Sequence, residues 1–266
     1  MSAGLPLPLL VGLVGTLGLA VGSFLNVVVH RVPLGLSVVS PGSACPACGH
    51  EVRGRDNVPV VSWVLLRGRC RDCREPIPVR YPLVEAGTAV LMVAVALRVD
   101  DPQVMGALLV VAAAGVALAL IDLEHGRLPF AVTGAAAVPL VGLLALDQAL
   151  GGSVPVLDVL VATGAWTVVY AGAWAATRGR GMGLGDVALA PVLGLALGAV
   201  GTGSALVGLG AGFVLGGLVG GLLLVTGTVS RGTRVPHGPF MLVGAGVGLF
   251  AGHPVAGAYL RLTGLA

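Results

Sequence analysis

Two aspartates stand at the ends of apolar segments. Asp122 follows the run Val116-Ala-Leu-Ala-Leu-Ile121, and Asp186 closes Gly181-Met-Gly-Leu-Gly185 just before Val187-Ala-Leu-Ala-Pro-Val-Leu193. A carboxylate at a membrane helix end is costly unless it faces a polar interior, so its default reading is functional. Two of them on different segments predict a pair that shares one proton across a bound water, which is the chemistry of aspartic peptide-bond hydrolysis. Gly181, Gly183 and Gly185 let the backbone bend and approach an extended substrate without Cβ clashes. Taken alone, Asp186 also reads as a helix N-cap, and Asp122 as a solvated helix end. Glu124 reads as a solvated interface residue, and Asp158 as a poor third acid near the far end of its span.

A second constellation is Cys45-Pro-Ala-Cys48 with Cys70-Arg-Asp-Cys73, separated by 21 residues. Each Cys-x-x-Cys turn presents two thiolates to one ion, and two turns complete a tetrahedral zinc site. Four cysteine ligands close the coordination sphere, which favours a structural over a catalytic metal. A redox pair is the weaker reading, because there are two such turns and no thioredoxin-like βαβ pattern. His50 reads as a loop histidine. A metal would order a loop of about 50 residues, too long to sit structureless beside a membrane.

Membrane helices must position both constellations. The chain has 266 residues, a mean hydropathy of +0.99 and 10% charged residues, against about 25% in soluble domains. The fold class is therefore all-α and polytopic. Its apolar runs predict about eight transmembrane helices near 5–28, 83–98, 104–122, 128–147, 155–175, 187–201, 205–227 and 239–260. The first reads as a retained helix and not a signal peptide, since Met1 to Leu5 carries no positive charge and no cleavage site is obvious.

All fifteen basic residues other than histidine are arginines. Apart from Arg98, at a boundary, and Arg261, they cluster by loop: Arg31 to Arg80 around the cysteines, Arg127, the pair Arg178 and Arg180, and the pair Arg231 and Arg234. The alternate loops carry Asp100, Asp101 and Asp147. The positive-inside rule places the arginine-bearing loops in the cytoplasm, both termini outside, and Asp122 with Asp186 at one membrane face. Arginines grouped by loop, instead of along one surface, exclude a nucleic-acid partner. Gly208, Gly210, Gly212, Gly216, Gly217, Gly220 and Gly221 form a small-residue run suited to close helix packing.

With these residues in place, the chain resembles the bifunctional prepilin peptidases, membrane aspartic proteases of the Gly-x-Gly-Asp type. The matching residues span nearly the whole chain. They begin with Gly22-Ser-Phe-Leu-Asn26 and His30-Arg-Val-Pro33, and continue through both cysteine turns, Asn57-Val-Pro-Val-Val-Ser-Trp63, Arg67-Gly-Arg-Cys70, Ile77-Pro-Val-Arg-Tyr-Pro82 and Glu85. Ile121-Asp122 with Leu128-Pro129, Gly183-Leu-Gly-Asp186 and Gly238-Pro-Phe240 complete the series. The chain departs from the family at Ala188, where a lysine is usual, at Phe130, where Asp or Asn is common, and at His237, where Phe is common.

The resemblance implies that Asp122 and Asp186 are catalytic and that Gly183 and Gly185 support them. It implies cleavage of prepilin or pseudopilin leaders at the cytoplasmic face of the inner membrane, serving type IV pili or protein secretion. N-methylation of the new amine by S-adenosylmethionine follows, with the cysteine loop, Glu85 and Asn26 as the methyl-donor region. No Rossmann-type motif supports that last step independently, and Glu85 reads equally as an anchor for Arg80. The expected division is a first helix (1–29), a cytoplasmic four-cysteine loop (30–82) and a helical peptidase domain (83–266). The competing readings are a transporter with proton-binding carboxylates and a non-catalytic zinc-loop scaffold of a secretion machine.

Overall fold

Apolar residues occupy all faces of most long segments, as suits helices solvated by lipid on one side and packed on the other. In a computed structural model, which describes residues 6–228, 230 and 235–264, these segments are helical. In chain order they are α1 (Leu7–Arg31), the short α2 (Val61–Leu65), α3 (Arg80–Arg98), α4 (Pro102–His125), α5 (Phe130–Ala149), α6 (Val156–Thr177), α7 (Leu184–Gly198), α8 (Thr202–Val225) and α9 (Gly238–Thr263). The described residues contain isolated β-bridges but no strand.

Among the described residues seven helices are long and apolar enough to cross a membrane, and one further apolar helix, α7, is short. At 1.5 Å per residue α7 rises only about 22 Å. It compensates by burial, for both ends and its middle are enclosed by protein at Asp186, Leu189, Leu193 and Leu197. The expected start of this helix at 187 is corrected to Leu184, which moves Asp186 from the preceding loop into the first turn. Likewise α4 runs to His125, past the expected end at 122, so Asp122 lies one turn inside it. Met1 to Leu5, used above for the signal-peptide reading, and Arg231 and Arg234, used for topology, lie outside the described residues.

The chain divides into two compact units between Met105 and Gly106. In the N-terminal unit, α1 lies directly on α3. A Cβ on Gly18 would come within 2.5 Å of the Ala89 Cα, and one on Gly22 within 2.7 Å of the Glu85 Cα. Asn26 fastens the same contact by donating to the Tyr81 carbonyl at 3.3 Å.

In the C-terminal unit, glycine again sets how close the helices come. Gly198 on α7 leaves 2.6 Å between a virtual Cβ and the Val159 Cα of α6, and Gly244 on α9 leaves 2.5 Å to the Gly212 amide of α8. Of the α8 glycine run, Gly208 and Gly212 face α9 and Gly216 faces His237, whereas Gly210, Gly217, Gly220 and Gly221 have open space around them. One polar tie crosses this interior: the buried Trp166 indole donates to the Ala205 carbonyl at 3.0 Å. At the end of the unit opposite Asp122, Asp147 is buried and accepts the Val154 N–H at 3.1 Å, closing the α5–α6 turn.

Candidate active site and four-thiol cluster

The C-terminal end of α4 and the N-terminal ends of α7 and α9 meet around Leu128. Asp122 and Asp186 are both buried there. Asp122 Oδ2 accepts the Gly238 N–H, the first amide of α9, at 3.0 Å. Asp186 Oδ2 accepts the Gly183 N–H at 2.8 Å. Asp186 is therefore not the N-cap of α7: Gly183 holds that position, and Asp186 reaches back to it from the third residue of the helix. Free N–H groups at helix starts suit carboxylate oxygens, and each aspartate has taken one.

Leu128 brings the two halves together. A Cβ on Gly185 would stand 2.8 Å from the Leu128 Cβ, and one on Gly238 would stand 3.0 Å from its side chain and 2.8 Å from Asp122 Oδ2. Only residues without side chains let α7 and α9 close on the same leucine. The two carboxylates are near enough for the charge of Asp186 to act on Asp122.

An aromatic cluster borders the pair. Tyr170, fully buried on α6, stacks on Trp166 at 5.7 Å and on Phe213 at 4.9 Å between ring centroids. Its hydroxyl lies 3.5 Å from His237 Nε2, and His237 is the residue before Gly238. Tyr170 is also within electrostatic reach of Asp186. Sequence reasoning missed Tyr170. The available signal was its rarity, as one of only three tyrosines in the chain and the one in mid-span. His237, noted earlier only as a departure, fills the space beside Gly216, where a virtual Cβ would meet the imidazole at 3.0 Å. Phe130 and Glu124 are exposed, and Asp158 lies in the first turn of α6, at the other end of that helix from Tyr170.

The four cysteines lie in the N-terminal unit. Their thiols are free, and all four sulfurs fall within 4.8 Å of one another. Cys45 Sγ and Cys73 Sγ are 3.8 Å apart. Zinc–sulfur bonds of about 2.3 Å in a tetrahedron put sulfurs about 3.8 Å apart, so the cluster fits the metal. The two turns are built alike. The Cys45 N–H donates to the His50 carbonyl and the Gly49 N–H to the Cys45 carbonyl; the Cys70 N–H donates to Glu75 and the Arg74 N–H to Cys70. Gly49 and Arg74 occupy equivalent positions at positive φ, 73° and 65°. His50 thus serves through its backbone, outside the four-sulfur cluster.

Amides of Cys48 and Ala47 pull the Cys45 thiol down to about 7, which favours the thiolate a metal needs. The Glu75 amide acts in the same sense on Cys73, but desolvation and the neighbouring thiols outweigh it and push that group up to about 12. Ion pairs brace the second turn from outside: Arg71 Nε donates to Asp56 Oδ2 at 2.8 Å, and Arg53 donates to Asp72 Oδ1 at 2.8 Å. Of the residues expected at the methyl-donor region, Glu85 is buried on α3 and accepts the Val60 N–H at 2.7 Å, while Asn26 is engaged with Tyr81 and Gly22.

Comparison with known proteins places both units. Residues 16–99 match the model for the bacterial peptidase A24 N-terminal domain, and residues 109–225 match that of the type IV leader peptidase family. The chain is 39% identical over 238 residues to a Myxococcus xanthus protein named prepilin leader peptidase/N-methyltransferase, covering 86% of this chain and 68% of that one. Proteins of the same name from Pseudomonas aeruginosa and Aeromonas hydrophila are 34% and 33% identical. These cover 93% and 98% of this chain, and 92% and 97% of theirs. No solved structure matches the chain.

Proposed function

The chain belongs to the type IV leader peptidase family, and on that premise we propose that it removes prepilin or pseudopilin leaders with Asp122 and Asp186 as the water-activating pair. The observation that carries this reading is the convergence of the α7 and α9 starts on Leu128, where each start holds one oxygen of a buried carboxylate. Oδ2 is held in both residues, and in this reading Oδ1 takes the water and the substrate. The ionised member removes a proton from water as its oxygen attacks the scissile carbonyl carbon. The protonated member donates its hydrogen bond to the carbonyl oxygen as charge develops there. Collapse of the tetrahedral intermediate breaks the C–N bond, and the proton taken from water passes to the leaving amine.

The family's second activity is N-methylation of the exposed amine. S-adenosylmethionine, as donor, supplies a methyl group on a positively charged sulfur. Glu85 and Asn26 contribute by holding α1, α3 and the loop in register, because the chain itself occupies Glu85 Oε2 and the Asn26 amide. Zinc held by Cys45, Cys48, Cys70 and Cys73 would order that loop without entering the chemistry. The site faces the cytoplasm across the inner membrane in this reading. Arg127, Arg178 and Arg180 support it, since they lie at the aspartate end of the C-terminal unit while Asp147 and Asp158 lie at the other.

The test is purified protein in liposomes, given a full-length prepilin and labelled S-adenosylmethionine. The expected products are mature pilin and a labelled N-terminus. An intact leader after incubation with folded protein would count against the reading.

A further inference from the structure

The short helix α2 carries an apolar stripe that the peptidase reading does not use. Val58, Val61, Val64 and Leu65 are 46%, 51%, 60% and 76% exposed. Val61, Val64 and Leu65 stand at helical spacing, and i→i−4 bonds run into the helix, with the Ser62 N–H on Val58 and the Val64 N–H on Val60. Val61, Val64 and Leu65 therefore share one face of α2, and the exposed Val58 precedes it in the turn. The opposite face is pinned inward. The buried Ser62 hydroxyl accepts the Val58 N–H at 3.1 Å and donates to the Arg55 carbonyl at 3.0 Å. The Trp63 indole donates to the Ile77 carbonyl at 3.0 Å. An exposed apolar face on a helix calls for a partner.

The depth of α2 identifies that partner. α3 has 19 residues and rises only about 28 Å, so its whole length is needed to cross a hydrocarbon core of about 30 Å. Arg80 must therefore lie at the edge of that core. Glu85, five residues further on, lies about 7.5 Å deeper. The Val60 N–H sits on the Glu85 carboxylate at 2.7 Å. This bond draws the start of α2 down beside the membrane-crossing part of α3. Val60 holds the position at φ 60° and ψ −50°, a backbone state that costs a β-branched residue and persists only where surroundings enforce it. The exposed Arg55, Arg67 and Arg69 flank the stripe in sequence, as basic residues flank apolar segments that lie in an anionic lipid surface.

We propose that α2 is an interfacial anchor: Val58, Val61, Val64 and Leu65 insert into the headgroup–acyl boundary of the bilayer and hold the four-cysteine loop at the membrane surface. Leu83, three residues past Arg80 on α3, is likewise exposed. This inference rests on α3 crossing the membrane and not on the aspartate pair.

Full-length protein carrying Leu65→Trp is reconstituted in phosphatidylcholine–phosphatidylglycerol vesicles with acyl chains brominated near the glycerol end. The emission of the unaltered protein, with Trp63, Trp166 and Trp174, is subtracted. Leu83→Trp serves as the lipid-facing reference. The added tryptophan is expected to be quenched as strongly as that reference and to be shielded from aqueous iodide. Val61→Trp, one turn earlier, repeats the measurement if Leu65→Trp inserts poorly. Quenching by iodide and not by bromine would overturn the proposal. So would shielding from both that appears only with added prepilin or at high protein density, since the face would then belong to the substrate or to a second copy.

Discussion

The Gly238 amide and the Asp122 carboxylate meet at 3.0 Å across 116 residues of chain, and the first turn of α9 thereby fixes the orientation of a buried acid on α4. The contact needs a residue without a side chain, because a Cβ at Gly238 would lie 2.8 Å from the bonded oxygen.

Gly238→Ala should therefore push the Asp122 carboxylate or α9 aside. A displacement approaching 1 Å at a catalytic group costs about 100-fold in rate, and a loss of that order in kcat for leader cleavage is expected. Gly210→Ala is the control: nothing lies within 4 Å of its virtual Cβ. Steady-state kinetics of both variants in the same lipid check the difference.

The α8–α9 contact should be equally intolerant in stability. Gly244→Val places atoms where the Gly212 backbone lies 2.5 Å from a Cβ. Overpacking of this kind costs about 1–3 kcal/mol. A lower midpoint of thermal unfolding in detergent is expected, with little change for Gly246→Val, whose surroundings are open.

The four thiols should carry one zinc per chain. Cys45→Ser with Cys70→Ser removes one ligand from each turn and should abolish metal binding, measured by elemental analysis of purified protein. Protease cleavage within residues 38–78 should rise as the loop loses its cross-link. Unchanged metal content would refute the site.

Much of this was legible in the residues. Asp122 and Asp186 stand out because acids are rare and costly in apolar segments, and the Cys-x-x-Cys pairs because their spacing matches one ion. The element that positions Asp186 was less so. The sequence 184–186 reads as loop, since two glycines in Gly183-Leu-Gly-Asp186 hide a helix start that becomes favourable only when Asp186 caps it from within and Leu128 packs against Gly185. The α2 stripe was invisible for a related reason. A five-residue helix has no readable period, and only its bond to Glu85 gives it a depth. Tyr170 lies in a run of Ala, Gly and Val whose periodicity says nothing about which face meets the acids.

Methyl transfer should survive loss of the aspartate pair. Amine methylation needs a bound donor and an accessible nucleophile and no activated water. Asp122→Asn supplied with pre-cleaved pilin and labelled S-adenosylmethionine should label it at the unaltered protein's rate. Equal loss of both activities in folded, metal-loaded protein would show one shared site.

The most direct measurement is leader cleavage by Asp122→Asn and Asp186→Asn, each purified, reconstituted and presented with full-length prepilin. Asparagine keeps an oxygen for the Gly238 or Gly183 amide, so the fold and its helix-start contacts should persist, but it cannot exchange a proton with water. Each variant should insert normally, hold its zinc and leave the leader uncut. Cleavage at the unaltered rate by either one, in a preparation free of any other such peptidase, would contradict the assignment of Asp122 and Asp186 as the catalytic pair.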